Sequence, residues 1–463
     1  MKLLPLSLRT LALLPLGLGA CGTPAVPTAS PGHLELTTPA LNNPAPTSPV
    51  AALEVIVTAA VLRADGTATA SLGFPDLGAA DLPTGAPDVR PERLPPGVTL
   101  QVQPPSVGLA GLVLPVTVQV SSDALLAAES HGTESLLDIT LDVRVGGQTR
   151  QVRLPLLRAD SVPVPTVGAS GFQVAASVPC GTDVLLAAAV NAPAEQRNRL
   201  LRLDPASGAT HTSTLGLAPT ESVTSLLCDP DGTVWMTLRS DDAQGSSVAS
   251  LAPASGALKR FPVDAVSDTL NNLTRTPDGR LWFVQYKRDR LGEFDPRSGK
   301  VGSHPVAENA EDLRLGQDGA LYYSQFYADP AVVRYDPASG DSRALSVGER
   351  GHNLPRASVQ TGAWLWYIDA WAQKLVRMDL ASGQRTVAAL PAGSVPGELV
   401  AAPDGTVWAA DAARHCLYRL AAGSLQAVTV LLADTQSAGP RALSVGPDGA
   451  LHYVSAGQLV TLY

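Results

Sequence analysis

Cysteine is scarce in this chain: Cys21, Cys180, Cys228 and Cys416 are all it has in 463 residues. None belongs to a Cys-x-x-Cys pair, and no His-Glu-x-x-His phrase occurs. Metal sites of the locally spaced kind are therefore excluded. Charge is thin too, at 16% of residues, and it leans acidic: 33 Lys and Arg stand against 42 Asp and Glu. An acidic balance argues against a nucleic-acid partner, which needs a basic face. No apolar run reaches the roughly 18 residues that suggest a membrane-spanning helix.

Turn chemistry is what the chain has in quantity. It carries 41 Gly and 39 Pro beside 45% hydrophobic residues. That is a turn-rich β composition, not a disordered one.

The segment "TPDGRLWFVQYKRDRLGEFDPRSGK", residues 276–300, sets a pattern. Asp278-Gly279 is a tight-turn dipeptide, since Gly takes positive φ freely and Asp bonds its own backbone. Leu281 to Val284 is a bulky run suited to a buried strand. The Asp295-Pro296-Arg297-Ser298-Gly299 turn closes a second hairpin. The first turn recurs at Asp231-Gly232, Asp318-Gly319, Asp404-Gly405 and Asp448-Gly449, with weaker forms around Gly181 and Gly362. The following aromatic recurs as Trp235, Trp282, Tyr322, Trp366 and Trp408, with His452 last, at spacings of 47, 40, 44, 42 and 44. The second turn recurs as "DPASG" at 204 and 336, "APASG" at 252 and "DLASG" at 379. A period near 40–45 residues with four strands per unit predicts an all-β, seven-bladed β-propeller. The propeller takes residues 161–463. Its last unit has only three strands, so an upstream segment must close the ring, and "SVPVPTVG" at 161–168 is the expected closing strand.

Upstream lie three further segments. Residues 1–20 read as a signal peptide, with Lys2 and Arg9 flanking a short apolar stretch. The stretch ends in "LGAC", which resembles the bacterial lipobox. The resemblance implies cleavage and diacylation at Cys21. It makes the lipid bilayer a partner and places the protein outside the cytoplasm, anchored to the outer membrane or cell surface. Loss of Lys2 and Arg9 leaves 31 basic residues against 42 acidic. Residues 21–49, rich in Pro, Thr and Ala, read as a tether. Residues 50–160 hold several short alternating strands, including hairpins at Asp65-Gly66 and Gly146-Gly147, and suggest an Ig-like β-sandwich acting as a spacer.

A site in such a propeller is expected where the starts of strand A and the ends of strand B converge on the axis. Candidates before strand A are Asn271, Asn272, Glu311, Asp312, Arg356, Glu398 and Arg441, with blade 5 aligned on Pro355/Arg356. Candidates at the strand-B ends and B–C loops are Lys287, Arg288, Tyr327, Asp369, Trp371, Asp411, Arg414 and His415, with His352 on the same face. Any one of these can equally be a solvated loop residue. Cys180 and Cys228 fall on adjoining blades and are the candidate disulfide; free core thiols are the open alternative.

The phrases "TPDGRLWF", "APDGTVW" and "GPDGAL" resemble the streptogramin (virginiamycin B) lyase family over residues 169–463. The resemblance implies a seven-bladed propeller. For enzyme members it also implies elimination chemistry on a cyclic depsipeptide, with Mg²⁺, a general-base His and carboxylates. The family His belongs before strand A, where "GPRAL" places Arg441 and other blades place Thr224, Asn271, Glu311, Pro355 and Gly397. After the strand-B aromatics, only Asp369 and Asp411 are carboxylates. Catalytic residues stay unassigned. The expected function is a noncatalytic module binding a peptide, protein or glycan, needing no cofactor and acting as a monomer. A rearranged lyase-like or hydrolytic enzyme using Mg²⁺ is one alternative, and a structural display protein is the other.

Overall fold

The Asp-Gly turns recur because each solves the same backbone problem. Gly279 sits at φ 89°, and its equivalents Gly232, Gly319, Gly405 and Gly449 at 77–86°. The preceding Asp carboxylate accepts the amide two residues on: Thr233 at 2.8 Å, Ala320 at 3.1 Å, Thr406 at 2.8 Å and Ala450 at 3.1 Å. Local geometry thus fixes each strand A–strand B hairpin before any packing is considered.

The computed structural model describes residues 55–463 except 63–65, 75–86, 93, 109–110, 122, 124–136, 146–147, 168–169, 241–244, 254, 264–267, 307–309, 326–328, 349–352 and 432–438. Cys21, Tyr327, His352 and the hairpin tips at Asp65 and Gly146-Gly147 lie outside the described residues.

Seven antiparallel blades follow one another. Blades 1 to 5 are complete four-stranded sheets beginning at Val174, Glu221, Leu270, Glu311 and Pro355. Blade 6 comprises Glu398–Ala401, Val407–Asp411, Cys416–Leu420 and Val428–Leu431. Blade 7 comprises Arg441–Val445, Leu451–Ser455 and Gln458–Leu462, and takes its outer strand from Gln148–Pro163. Each innermost strand packs on the next, and that of blade 7 returns to that of blade 1. The strand-B runs show no alternation because both faces are covered: all five residues of Leu281–Gln285, Leu321–Gln325 and Val407–Asp411 are buried. Between blades 3 and 4, for example, Trp282 and Val284 pack with Leu321, Tyr323 and Tyr335.

The closing strand is registered as Leu462 with Ala159 through Gln458 with Pro163. The expected segment 161–168 overlaps it at 161–163; Thr166–Val167 pairs instead with Ser170–Gly171. The same strand reaches back to Gln148 and pairs along 148–156 with Leu137–Val145. Ala60–Leu62 runs parallel to it at 156–158. Thr67–Phe74, Gly111–Val120 and Val98–Val102 form a second sheet with Ile56–Thr58. That sheet continues into blade 6, because Val57 and Thr58 pair in parallel with Val428 and Thr429. The two N-terminal sheets share a core of Leu72, Phe74, Leu114, Ile139, Leu141 and Leu154. Both sheets are thus hydrogen-bonded extensions of propeller blades, and pairing crosses the boundary expected at residue 160.

Cys180 and Cys228 are bonded, with Cα atoms 5.4 Å apart, and tie blade 1 to blade 2; Cys416 is a buried free thiol. His452 stands where blades 2 to 6 carry Trp or Tyr and blade 1 carries Leu185. It is 7% exposed, and its Nδ1 lies 2.9 Å from Thr461 Oγ1. Burial lowers its pKa below the usual histidine value, with Asp448 pulling weakly the other way. The unfolded chain therefore binds this proton better than the fold does. The stability tied to neutral His452 is complete above about pH 6.5 and is lost as pH falls below that value. Substitution His452→Phe should flatten the melting temperature between about pH 7 and pH 5 relative to the wild type. Parallel pH profiles would contradict this reading.

Candidate functional site

The convergence of seven A strands produces a defined ring. The residue paired with the fourth strand-B position is Ala176, Ser225, Asn271, Glu311, Arg356, Glu398 and Arg441 in blades 1 to 7. In blades 3, 4, 5 and 7 strand A then bulges, and Asn272, Asp312, Ala357 and Ala442 take positive φ of 49–57°. Blade 5 therefore contributes Arg356/Ala357, not the expected Pro355/Arg356. Its Gly362 turn is built differently from the Asp-Gly turns, which moved the sequence alignment by one residue. A cavity of about 390 Å³ opens inside this ring, lined by Ser225, Asn271, Asn272, Glu311, Asp312, Glu398 and their neighbours.

The polar side chains of this ring are used between blades. Ser225 Oγ accepts the Leu273 amide at 3.2 Å, Asn272 Oδ1 the Asp312 amide at 3.2 Å, and Asp312 Oδ2 the Ala357 amide at 3.2 Å. Glu398 accepts both the Ala442 amide at 3.1 Å and the Leu443 amide at 2.9 Å. Ser177 Oγ donates to the Ala442 carbonyl at 2.6 Å. The bulge exposes amides that the sheet ladder no longer pairs, and the preceding blade's side chain satisfies them. Glu311 instead pairs with Arg356 at 3.1 Å. Burial pushes its carboxyl up, Arg356 opposes that, and Asp312 adds to it.

The strand-B carboxylates have a different task. Asp369, 3% exposed, accepts Asn353 Nδ2 at 2.6 Å and the amides of Leu354, Trp371 and Ala372 at 3.1–3.2 Å. Asp411, fully buried, accepts the amides of Val395 at 2.7 Å and Arg414 at 3.0 Å and the Tyr418 hydroxyl at 3.0 Å. Both hold loops in place. Asp268 does the same for the Thr269 and Lys287 amides, and burial raises its pKa. The sequence reading missed it because it precedes strand A in only one blade.

The other candidates spread over the rim. Lys287 and Arg288 occupy a 3-10 turn after strand B of blade 3. Trp371 is 66% exposed on the loop after strand B of blade 5. Arg414 donates to the Ala392 carbonyl. His415, at φ 53°, has a buried Nδ1 with no hydrogen-bond partner among the described residues, as does Arg441 Nε. Arg314, three positions beyond Glu311, also lines the channel; it went unremarked because it follows the bulge.

The family resemblance implies Mg²⁺, and the residues do not fit it. Among the described residues, no group of three His, Cys, Asp or Glu is placed to hold a metal. Asp312, Glu398, Asp369 and Asp411 already accept protein donors, and Glu311 faces a guanidinium.

No family model and no curated protein matches the chain. Solved structures do. A streptogramin B lyase structure is similar at 15% identity, TM-score 0.55, over 66% of this chain and 97% of the other. Selenomethionine-substituted virginiamycin B lyase from Staphylococcus aureus is similar at 16% identity, TM-score 0.55, over 66% and 99%. YCF48 bound to D1 peptide is similar at 11% identity, TM-score 0.52, over 65% and 96%. Identities this low carry the fold and not the reaction. The chain has a β-propeller fold of the streptogramin lyase type.

Proposed function

We propose that this protein is a lipid-anchored envelope component. Its propeller binds a peptide, protein or glycan at the rim of the channel, without catalysis and without a metal cofactor. One observation carries the reading: of the carboxylates nearest the family's reactive positions, Asp312, Glu398, Asp369 and Asp411 accept backbone amides and Glu311 pairs with Arg356. Elimination needs a base free to take a carbon-bound proton, with a pKa near neutrality. A carboxylate whose oxygens already accept backbone amides is engaged in holding the chain and is not free to take such a proton. Arg441 occupies the place of the family His and is no base at all. Exposed Trp371, with Lys287 and Arg288 on the same end of the propeller, supports a binding role, since aromatic and basic groups are common anchors. The leader and "LGAC" support anchoring through Cys21, with residues 21–49 as tether.

Muropeptides test both halves, because they present glycan and peptide together. Titration of the acyl-free protein should change its tryptophan fluorescence, and Trp371→Ala should abolish the change. No response in the wild type, or an identical response in the variant, would favour a display role. In cells, Cys21→Ser should move the protein from the membrane to the soluble fraction; undiminished retention would end the anchoring claim.

A further inference from the structure

The opposite mouth of the channel has a different chemistry. The residue paired with the strand-B aromatic position is Val178, Leu227, Thr274, Arg314, Val359, Val400 and Ser444 around the seven blades. Six are uncharged and one is a guanidinium. Beyond this ring the channel widens into a cavity of about 520 Å³, walled by Leu227, Leu273, Leu315, Val400, Leu443 and Val445. Among the described residues, Arg314 is the only ionisable side chain lining it. Arg314 also borders the cavity at the other mouth, so it lies at the junction of the two.

Arg314 is side-chain exposed into this space, and no hydrogen bond or ion pair engages it among the described residues. The acidic groups of the upper ring are occupied elsewhere. Glu311 pairs with Arg356, Asp312 accepts the Ala357 amide, and Glu398 accepts two amides. On the rim, Gln317 accepts the Gly362 amide and Gln360 accepts the Asp318 amide, so neither competes for the cation. A guanidinium at the base of an apolar funnel is a donor fork awaiting a planar anion.

We propose that this mouth binds a small amphiphilic carboxylate. The carboxylate forms a bidentate pair with Arg314, and the apolar body lies against the Leu and Val wall. The cavity volume falls in the range of small-molecule sites. Charge complementarity selects the anion: no carboxylate among the described residues lines this cavity, and the Glu311, Asp312 and Glu398 carboxylates line the upper one, where each is engaged by protein donors. The site shares no residue with the Trp371 rim, so either proposal can fail alone.

Calorimetry with octanoate, octanol and octylamine decides it. Octanoate should bind, octanol should bind about tenfold more weakly or worse, and octylamine should not bind. Arg314→Met should weaken octanoate binding by about tenfold or more while leaving octanol unchanged. Arg314→Lys should keep part of the octanoate affinity. Melting curves of both variants check folding; if Arg314→Met does not fold, the Lys variant and the three ligands still discriminate. Absence of octanoate binding, equal binding of octylamine, or equal affinity in the folded variant would each overturn the proposal.

Discussion

A chain beginning at Gly171 will not close its ring. The outer strand of blade 7 is Ala159–Pro163, five residues in register with Gln458–Leu462. Without it, that edge presents unpaired amides and carbonyls beside apolar Leu459 and Leu462, a template for pairing with other chains. Buried Val162 and Val164 also leave the cluster that joins them to Val174, Leu201 and Leu459. We expect aggregation and no cooperative thermal transition. A chain beginning at Arg158 keeps the closing strand but loses the N-terminal sheets. It strips Val57 and Thr58 from blade 6 and removes Ala59 and Leu157 from the cluster with Trp408, Leu417 and Val430. A fully buried Leu contributes roughly 1.5–3 kcal/mol, so this chain should melt cooperatively at a lower temperature than one beginning at Ala52. Circular dichroism melts with light scattering would check the order. Equal behaviour of all three chains would mean that closure comes from elsewhere.

The second large effect is expected at Asp411. Its carboxylate takes two amides and a hydroxyl in a fully buried position. Hydrogen bonds to a charged group contribute roughly 1.5–3 kcal/mol each; water can replace the carboxylate at the amides of exposed Val395 and Arg414, and the buried Tyr418 hydroxyl keeps Ser394. Asp411→Ala should therefore lower stability by about 2–3 kcal/mol, at the upper end of ordinary single substitutions. Asp411→Asn keeps one carbonyl acceptor and should lose less. Denaturant unfolding checks both. A near-neutral Asp411→Ala would mean that the carboxylate is not a loop anchor, and a role at the rim would have to be reconsidered.

The propeller was legible because its hairpin turns are local. An Asp-Gly or Asp-Pro-x-Ser-Gly turn needs only its own residues, so seven imperfect copies could be counted from sequence. The splice between the N-terminal strands and blades 6 and 7 was not legible. Parallel pairing of Val57 with Val428 joins positions far apart in the chain, and no periodicity encodes it. At the site, the sequence offers charged candidates but not their hydrogen-bond partners. Asp312, Glu398, Asp369 and Asp411 read as ligand candidates because their position and charge fit one. Only geometry reveals that bulged amides and loop amides already claim them. The one-residue displacement in blade 5 has the same origin: a bulge adds a residue without leaving a mark in the hydrophobic pattern. Arg314 was readable in principle, as the lone charge among aligned uncharged positions.

The central claim is that a lyase-type propeller here uses its channel carboxylates to join blades and hold loops, and does not eliminate. Incubation of the full chain with a streptogramin B cyclic depsipeptide and Mg²⁺, followed by mass spectrometry, tests it most directly. We predict no ring opening above the protein-free control. Mg²⁺-dependent ring opening that Glu398→Gln or Asp369→Asn abolishes, in variants that remain folded, would contradict it.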